Sequence, residues 1–441
     1  MNENPRKYDL KDFSQSIMAK VLMMGLIMLT LMSPKSMITD LIQEREKRNQ
    51  EVVAEISSKW GGTQALHGPV LSIPFTQIID GNKVQKCFNL YPTELTIKGD
   101  INPEIRKRSI FNAILYQAQL QFHAQFNLSI LKLHHYNFQL DQAEVSFSIS
   151  DLRGVSHSVQ LQINDQGIQA EPGILQNNGL GKGFHFPIDL TTLQEDNFAI
   201  SADLHLNGSQ NISFIPSGKI THVSIKSTWP HPSFNGHFLP KDYSLTDEGF
   251  QANWEIHDLQ RSFQQSWFEN DIPSSASSCG LSLIEVQDTY SQVNRVVKYI
   301  ILFLGFTFGA MFINERISRQ TIHPLQYILV GLASLIFYVL LLSLSEHINF
   351  NLAYIITASS TTLLITAYAK GLFKSWKHTL TIGILTGGLY SYLFGTIQLE
   401  EYALIMGSAG LFLVLSLVMY FTRDLNRETR PLSNASSPQN G

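Results

Sequence analysis

Six long apolar runs divide this chain into two kinds of region. One run lies near the N-terminus at 17–38, and five lie in the last third, at 296–314, 324–344, 352–369, 379–397 and 403–421. An apolar run of about 18 residues or more crosses a hydrocarbon core about 30 Å thick, because a helix rises about 1.5 Å per residue. The pattern predicts six transmembrane helices, one N-terminal anchor and five C-terminal helices.

The first run has features of both a secretory signal peptide and a signal anchor. Arg6, Lys7 and Lys11 precede it, as they would in a signal peptide. No small-residue cleavage site follows, since the chain continues as Ser33-Pro34-Lys35. Lys20 can extend its ammonium group towards the basic interface. We therefore expect an anchor that is not cleaved.

Between the first two runs the apolar positions recur with a period of two. In residues 119–130 the positions Leu120, Phe122, Ala124, Phe126, Leu128 and Ile130 alternate with polar residues, and the pattern returns at 143–149, 159–163 and 200–206. Such strands bury one face and expose the other, as in antiparallel sheets. Turn signals separate them at Asp80-Gly81-Asn82, Asp165-Gln166-Gly167 and Asn207-Gly208. The region is predicted to be a large all-β domain, either a sandwich or a long stacked sheet, in a membrane protein of the α+β class.

A charged helical segment links the anchor to the strands, and Asp40 can serve as its N-cap. The predicted organisation is a cytoplasmic N-terminus at 1–16, a transmembrane anchor at 17–38, a helical stalk at 39–60, a β-rich domain at 61–292, a five-helix transmembrane domain at 293–422 and a disordered tail at 423–441.

The charged residues fix an orientation, although the overall balance of 32 basic and 36 acidic residues does not. The segments that follow the five C-terminal runs alternate between those with Lys or Arg and those without. The basic ones contain Arg316 and Arg319, then Lys370, Lys374 and Lys377, then Arg423, Arg427 and Arg430. Because cytoplasmic loops are enriched in Lys and Arg, both termini are predicted to be cytoplasmic, and residues of about 40–292 extracytoplasmic.

Cysteines are few. Cys87 and Cys279 both fall in the predicted extracytoplasmic domain, where an oxidising compartment permits a disulfide bond. A bond requires Cα atoms within about 7 Å of each other. Two unpaired buried thiols are the alternative.

Enzyme motifs are absent from the sequence. It contains no HExxH, GxSxG, Walker, CxxC or GxGxxG pattern, and the adjacent pair His134-His135 would point to opposite faces of a strand. No catalytic residue, metal, cofactor or nucleic-acid partner is predicted. The expected partners are the lipid bilayer and an envelope protein or lipid of unknown identity, with self-association left open.

A transporter is the alternative function, or a lipid-handling protein whose β domain shields an apolar ligand. Ion relays usually place charged side chains inside the spans, and the interiors of the last five runs have none. They contain Gly305-x-x-x-Gly309, Gly383-x-x-x-Gly387 and a Ser/Thr stripe at 357–366 instead. Such small and hydroxyl-bearing residues ordinarily serve helix packing.

Two clusters are candidate sites. The first is an aromatic segment with Trp229, His231, Pro232, Phe234 and Phe238, in which three prolines exclude an inner strand. We expect a rigid loop that binds a partner or plugs one end of the sandwich.

The second candidate is Ser345, Glu346 and His347, at the outer end of the third helix. These residues are predicted either to contact the β domain or to cap the helix, where a cationic His is favoured by the helix dipole.

Several long stretches resemble the CreD family of bacterial cell-envelope integrity inner-membrane proteins. They are GPVLSIP at 68–74, STWPHPSFNGHFLP at 227–240, GFQANW at 249–254, QSWF at 265–268 and HPLQYILVGLASLIFYVLLLSLSEH at 323–347. The resemblance is collinear over nearly the whole chain apart from its two ends. It implies an inner-membrane protein with a role in envelope stability, colicin tolerance and the β-lactam response. In such a protein the predicted extracytoplasmic β domain lies in the periplasm. It implies no catalytic residue, because the family has no agreed enzymatic activity.

Overall fold

The computed structural model describes residues 17–80, 82–164, 166–174, 181–193, 195–268, 277–284, 289–318, 320–399, 405–410, 412, 416 and 419. The chain forms two compact units. A helical unit contains Met1–Lys47 and Gln287–Gly441, and a β unit contains Arg48–Val286. The predicted membrane protein of the α+β class is confirmed.

Seven α-helices of ten residues or more lie in the described part of the chain. They are α1 (Ile17–Thr30), α2 (Met32–Trp60), α3 (Thr289–Lys298), α4 (Ile300–Ser318), α5 (Pro324–Ser345), α6 (Phe350–Phe373) and α7 (Trp376–Gln398). Five spans are long and apolar enough to cross a membrane, with α1 and α2 counted as one. The sixth predicted span, 403–421, lies mostly outside the described residues, as do the N-terminal segment 1–16 and the tail 423–441.

Two helix boundaries differ from the prediction. Asp40 is not an N-cap, because α2 begins at Met32 and continues through that position. The run predicted from 296 to 314 is divided at Tyr299, so that α4 starts at Ile300. The preceding α3 is amphipathic, since its buried side chains recur three and four positions apart at Tyr290, Val293, Val296 and Val297.

Small residues hold α6 against α7 as the Gly383-x-x-x-Gly387 pattern predicts. A Cβ atom on Gly383 would stand 2.9 Å from Oγ1 of Thr366, and one on Gly387 would stand 3.7 Å from Cγ2 of Thr362. The Thr366 hydroxyl donates to the carbonyl of Thr362 at 2.7 Å, which leaves its polar group satisfied within the helix. A Cβ atom on Gly305 would stand 3.7 Å from Cε of Met28, which is an ordinary contact distance.

A buried ion pair joins the first helix to the C-terminal helices. The Lys20 ammonium group on α1 pairs with the Glu315 carboxylate on α4, whose side chain is 2% exposed. The Tyr327 hydroxyl on α5 donates to Oε2 of Glu315 at 3.0 Å, and the backbone N–H of Ile322 donates to Oε1 at 3.1 Å. Lys20 is therefore bound to Glu315, where the sequence predicted only that it would extend to the interface.

The β unit contains two mixed sheets. Its strands are β1 (Gln64–Ile79), β2 (Asn82–Leu90), β3 (Glu94–Arg108), β4 (Phe111–Asn127), β5 (Asn137–Phe138), β6 (Ala143–Ile149), β7 (Gln160–Ile163), β8 (Gln166–Gln169), β9 (Glu171–Pro172), β10 (Gly183–Ile188), β11 (Asn197–Ser209), β12 (Asn211–Phe214), β13 (Ile220–Ser227), β14 (Pro232–Gly236), β15 (Asp242–Thr246), β16 (Gly249–His257), β17 (Ser266–Phe268) and β18 (Cys279–Leu283).

Ten of these strands form the first sheet, in the order β14-β18-β12-β1-β6-β10-β9, with β2, β5 and β17 attached to its side. The other eight form the second sheet, in the order β15-β16-β13-β3-β4-β11-β7-β8. The pairs β1–β12 and β3–β13 are parallel, and the remaining pairs are antiparallel.

A single hydrophobic core lies between the sheets, so the sandwich prediction is confirmed. It includes Leu71, Val145 and Phe186 from the ten-stranded sheet and Leu120 and Ile225 from the eight-stranded sheet. Each of these side chains is at most 1% exposed. Close packing of this kind fills the space between the sheets.

Two details of the strand prediction are corrected. The strand predicted at 119–130 ends at Asn127, whose side chain accepts a hydrogen bond from the Ser129 N–H at 2.8 Å and starts a short 3-10 helix. The predicted turn at Asn207-Gly208 lies inside β11, because Gly208 leaves room for the Tyr116 hydroxyl. The chain turns instead at Gln210, which has a φ of 60°.

The C-terminal half of α2 packs onto the β unit instead of forming a free stalk. Val53 is buried against Ala113 and Leu115 of β4, and Trp60 packs on the same cluster. The Trp60 indole N–H donates to the carbonyl of Tyr116 at 3.3 Å.

The ion pair of Lys20 and Glu315 yields a stability prediction. Removal of one charge leaves the other buried without its partner, which costs about 3–5 kcal/mol. We expect Glu315→Gln to lower the melting temperature of the purified protein strongly. The double variant Lys20→Met/Glu315→Gln should recover most of the loss, because it removes both charges and keeps an acceptor for Tyr327.

The matched control is Glu51→Gln, which breaks an exposed pair with Arg48 at 3.1 Å. Exposed pairs contribute about 0–1 kcal/mol. Equal effects of Glu315→Gln and Glu51→Gln would contradict the buried role.

Candidate functional site

The middle of the outer face of the ten-stranded sheet, on β2, β1 and β6, is as buried as the inner face. On β6, Val145 and Phe147 point into the sandwich core, and the alternate residues Glu144 and Ser146 point outward. Both outward side chains are nevertheless buried, at 3% and 0% exposure. The prediction that β6 exposes one face is therefore wrong, because further chain covers this side of the sheet.

One row of polar side chains crosses this outer face. Strand pairing places Trp267 of β17 opposite Asn89 of β2, Asn89 opposite Ser72 of β1, and Ser72 opposite Glu144 of β6. The Ser72 hydroxyl donates to Oδ1 of Asn89 at 2.8 Å. A period of two along every strand brings these residues, distant in sequence, onto the same side of the sheet.

Aromatic rings and a guanidinium group cover one end of that row. The Tyr91 ring lies 4.5 Å from the Trp267 ring and 5.4 Å from the Phe263 ring, measured between centroids. The Arg261 guanidinium lies 4.4 Å from the centre of the Phe263 ring and 5.5 Å from that of Tyr91. We call this group the outer-face cluster, and it consists of His67, Asn89, Tyr91, Arg261, Phe263 and Trp267.

His67 and Tyr91 form the base of the outer-face cluster. Nε2 of His67 lies 2.7 Å from the Tyr91 hydroxyl oxygen, and the two rings are stacked at 5.6 Å. Burial lowers the pKa of His67 from 6.5 to about 4, and the positive charge of Arg261 lowers it further in the same direction. Burial also raises the pKa of Tyr91, so both groups are neutral near pH 7.

Several buried donors of the outer-face cluster have no hydrogen-bond acceptor. They are Nε and Nη1 of Arg261, Nδ2 of Asn89 and Nε1 of Trp267. Only Nη2 of Arg261 has a described acceptor, the side-chain oxygen of Gln265. A buried polar group without a partner costs about 1–3 kcal/mol, and a charged one costs more.

Such a concentration of unmatched donors is unusual, because native folds leave few buried polar groups without a partner. Arg261 is 7% exposed and forms no ion pair with any described carboxylate. The outer-face cluster has a positive charge, neutral His and Tyr side chains, and N–H groups without an acceptor. It is therefore suited to binding a partner or ligand that supplies a hydrogen-bond acceptor. It supplies no nucleophile paired with a base.

The aromatic segment predicted as a loop is partly a strand. Residues Pro232–Gly236 form β14, an edge strand that pairs with β18, and an edge strand tolerates proline at its first position. Phe234 packs against Phe250 and Trp254, and the carbonyl of Phe238 accepts the Trp254 indole N–H at 3.1 Å.

Trp229 also packs on the sandwich core, and its indole N–H donates to the carbonyl of Ile284 at 3.1 Å. His231 is exposed, and Pro232 is half-buried. The aromatic side chains thus plug this end of the sandwich. Binding of a partner by the segment stays a prediction.

Ser345, Glu346 and His347 end α5 as a helix cap would. Glu346 is the C-cap residue, the Ser345 hydroxyl donates to the carbonyl of Leu342, and His347 is exposed. Oε1 of Glu346 accepts from the Tyr290 hydroxyl at 3.2 Å and lies 4.0 Å from Nε of Arg45. Their predicted contact with the β domain stays a prediction.

Both cysteines are buried thiols, and they are not joined in a disulfide bond. Cys87 pairs in register with Pro74 on β1, whereas Cys279 pairs with Phe214, which pairs with Leu66 on β1. Pro74 and Leu66 are eight residues apart, or about 26 Å at roughly 3.3 Å per residue. Burial raises the pKa of Cys279 to about 12, so its thiolate is disfavoured.

Sequence reasoning did not identify the outer-face cluster as a site. A period-two pattern marks Asn89 and Glu144 as exposed, and Arg261 and Phe263 lie beyond the end of β16 with no motif around them. One signal was available, since the stretch Gln265-Ser266-Trp267-Phe268 already carries part of the family resemblance. Gln265 binds Arg261 and also donates to the carbonyls of Tyr91 and Pro92.

The lowered pKa of His67 predicts a pH dependence of stability. Between about pH 6.5 and 4 the unfolded chain binds a proton that folded His67 does not accept. Its contribution to the free energy of unfolding is therefore complete above about pH 6.5 and falls as the pH decreases, by about 3 kcal/mol near pH 4.

Melting temperatures of the purified protein between pH 7.5 and 4.5 measure this effect. The curve for His67→Gln should be flatter than that of the wild type, whereas His123→Gln, on the exposed face of β4, should follow the wild type. Parallel curves for wild type and His67→Gln would show that the surroundings of His67 do not lower its pKa.

Comparison with known proteins agrees with this architecture. The profile of the family described as "Inner membrane protein CreD" matches residues 16–428. The chain is also similar to the inner membrane protein CreD of Escherichia coli (strain K12), with 30% identity over 418 residues, which cover 90% of this chain and 91% of that protein. The match includes the helices, both sheets and the outer-face cluster. The chain therefore belongs to the CreD family of inner membrane proteins.

Proposed function

We propose that this chain is a non-enzymatic inner-membrane protein that supports cell-envelope integrity and the response to β-lactam stress. In this proposal the helices hold the β unit on the periplasmic side, where it recognises another envelope component. Both termini are then cytoplasmic. The family membership supports the envelope location, and the alternation of basic loops supports the orientation.

The observation that carries the proposal is the outer-face cluster. A filled sandwich needs no charge on its outer surface to remain stable, yet this one buries an Arg whose Nε and Nη1 have no acceptor. Burial of a donor without an acceptor lowers the stability of the fold. Such destabilising groups are typical of recognition sites, where they are retained for binding. The family name specifies a membrane protein and no reaction, which is consistent with a binding role.

The alternative is a transporter or a lipid-handling protein. One observation favours it: the helical unit contains the buried pair of Lys20 and Glu315, and charged residues within spans often mark solute paths. Two features weigh against it. Glu315 has three partners that fix it in place, and the space between the sheets is filled by side chains instead of forming an apolar groove.

Deletion of the gene tests the proposed role. We expect the deletion strain to be more sensitive to a β-lactam and to detergent, and the full chain supplied on a plasmid should restore resistance. A photo-reactive residue at the exposed position 231 should capture an envelope component in intact cells. The same residue at Gln121, exposed on the eight-stranded sheet, is the matched control.

A deletion strain with normal envelope resistance but altered uptake of a solute or lipid would favour the alternative. Equal capture from positions 231 and 121 would show that the aromatic segment is not a specific contact surface.

A further inference from the structure

We propose that the outer-face cluster binds the carboxylate group of a small ligand, with the Arg261 guanidinium as the main anchor. The Asn89 amide and the Trp267 indole supply further donors. This inference deepens the proposed function, because it assigns a ligand class to the recognition site of the β unit.

The chemistry of the unmatched groups specifies the ligand. All four atoms without a partner are nitrogen donors, and two of them belong to a group that carries a permanent positive charge. An acceptor with a negative charge is the complement of such a set. A carboxylate has two oxygens with about four acceptor positions, so that one group can receive hydrogen bonds from several of these donors.

The donors lie close together in the fold. Trp267 and Asn89 are directly opposite each other on β17 and β2. Tyr91 is two residues beyond Asn89, and its ring contacts both Trp267 and the Arg261 guanidinium. Each donor-bearing side chain is at most 7% exposed. Water is thus largely excluded, which strengthens a hydrogen bond between a charged donor and a charged acceptor.

Nearby side chains define the rest of the ligand. Phe263, Val70 and Trp267 are buried together, and Ile174 and Ile215 pack at their margin. These apolar walls indicate a ligand with an apolar group beside the carboxylate. His67 adds no charge at neutral pH, since its pKa is about 4.

The other buried carboxylate on this face does not neutralise the site. Glu144 lies two strands from Asn89 along the same row, has interactions of its own, and forms no ion pair with Arg261. Asp258 attracts the Arg261 charge electrostatically, but the two side chains form no ion pair, so Nε and Nη1 of Arg261 are available to a ligand. Burial alone lowers the pKa of a guanidinium, but it remains protonated at neutral pH.

Binding is measured on the full-length protein in nanodiscs, by intrinsic fluorescence and by thermal shift at constant ionic strength. The probes are N-acetylglycine, its uncharged analogue N-acetylglycinamide, and inorganic phosphate. We expect a saturable response to N-acetylglycine and an affinity for the amide at least tenfold weaker. A response to phosphate that is stronger than that to N-acetylglycine would overturn the carboxylate assignment.

Two variants locate the site. Arg261→Gln should weaken N-acetylglycine binding at least tenfold, and Trp267→Phe, which keeps an aromatic ring and removes one N–H, should weaken it severalfold. Arg106→Gln is the matched control, because Arg106 lies 4.0 Å over the Trp60 ring at an exposed position with Glu104 beside it. It should bind like the wild type.

Absence of any response in the wild type, or unchanged binding in both Arg261→Gln and Trp267→Phe, would overturn the proposal. The variant Trp267→Phe keeps the test valid if Arg261→Gln does not fold. Failure of this proposal is distinguishable from failure of the proposed function. Binding to the purified protein tests the ligand assignment, whereas the resistance of the deletion strain tests the envelope role.

Discussion

Burial of both faces in the middle of the ten-stranded sheet, on β2, β1 and β6, is the constraint on which the outer-face cluster depends. The inner face is apolar and packs against the eight-stranded sheet, which is the ordinary arrangement of a sandwich. The outer face is covered as well, so polar residues such as Asn89, Ser72 and Glu144 are removed from water. Each must then find a partner inside the protein, and the donors that do not find one become the chemically distinctive feature of the molecule.

In the helical unit too, polar groups that are removed from water need partners inside the protein, because the bilayer supplies none. Backbone groups within a bilayer are satisfied by helix formation, and the threonine hydroxyls of Thr357 and Thr366 donate to carbonyls of their own helix. The one strongly charged group in its described interior, Glu315, is neutralised by Lys20 and held by two further donors. Glu315 therefore has direct partners in the helical unit, whereas Nε and Nη1 of Arg261 have none, which is why recognition is assigned to the β unit.

Sequence patterns predicted most of the architecture and little of the site. The apolar runs predicted the spans because the length of a run can be read within one segment. The alternation in β4 and β11 predicted strands for the same reason. The outer-face cluster depends on the register between β17 and β2, which joins residues about 180 positions apart and is not local. Lys20 and Glu315 present the same difficulty, since only the packing of α1 beside α4 makes a pair of them.

Cys87 provides the most direct measurement of the central claim, which is that the β unit folds in the periplasm with both faces of the ten-stranded sheet buried in its middle. Cys87 lies on the outer face at 2% exposure, and His231 is exposed. In intact cells that produce His231→Cys, a membrane-impermeant maleimide should label position 231 and leave Cys87 unlabelled until the protein is denatured. Labelling of native Cys87, or labelling of position 231 only after the membrane is permeabilised, would contradict the account.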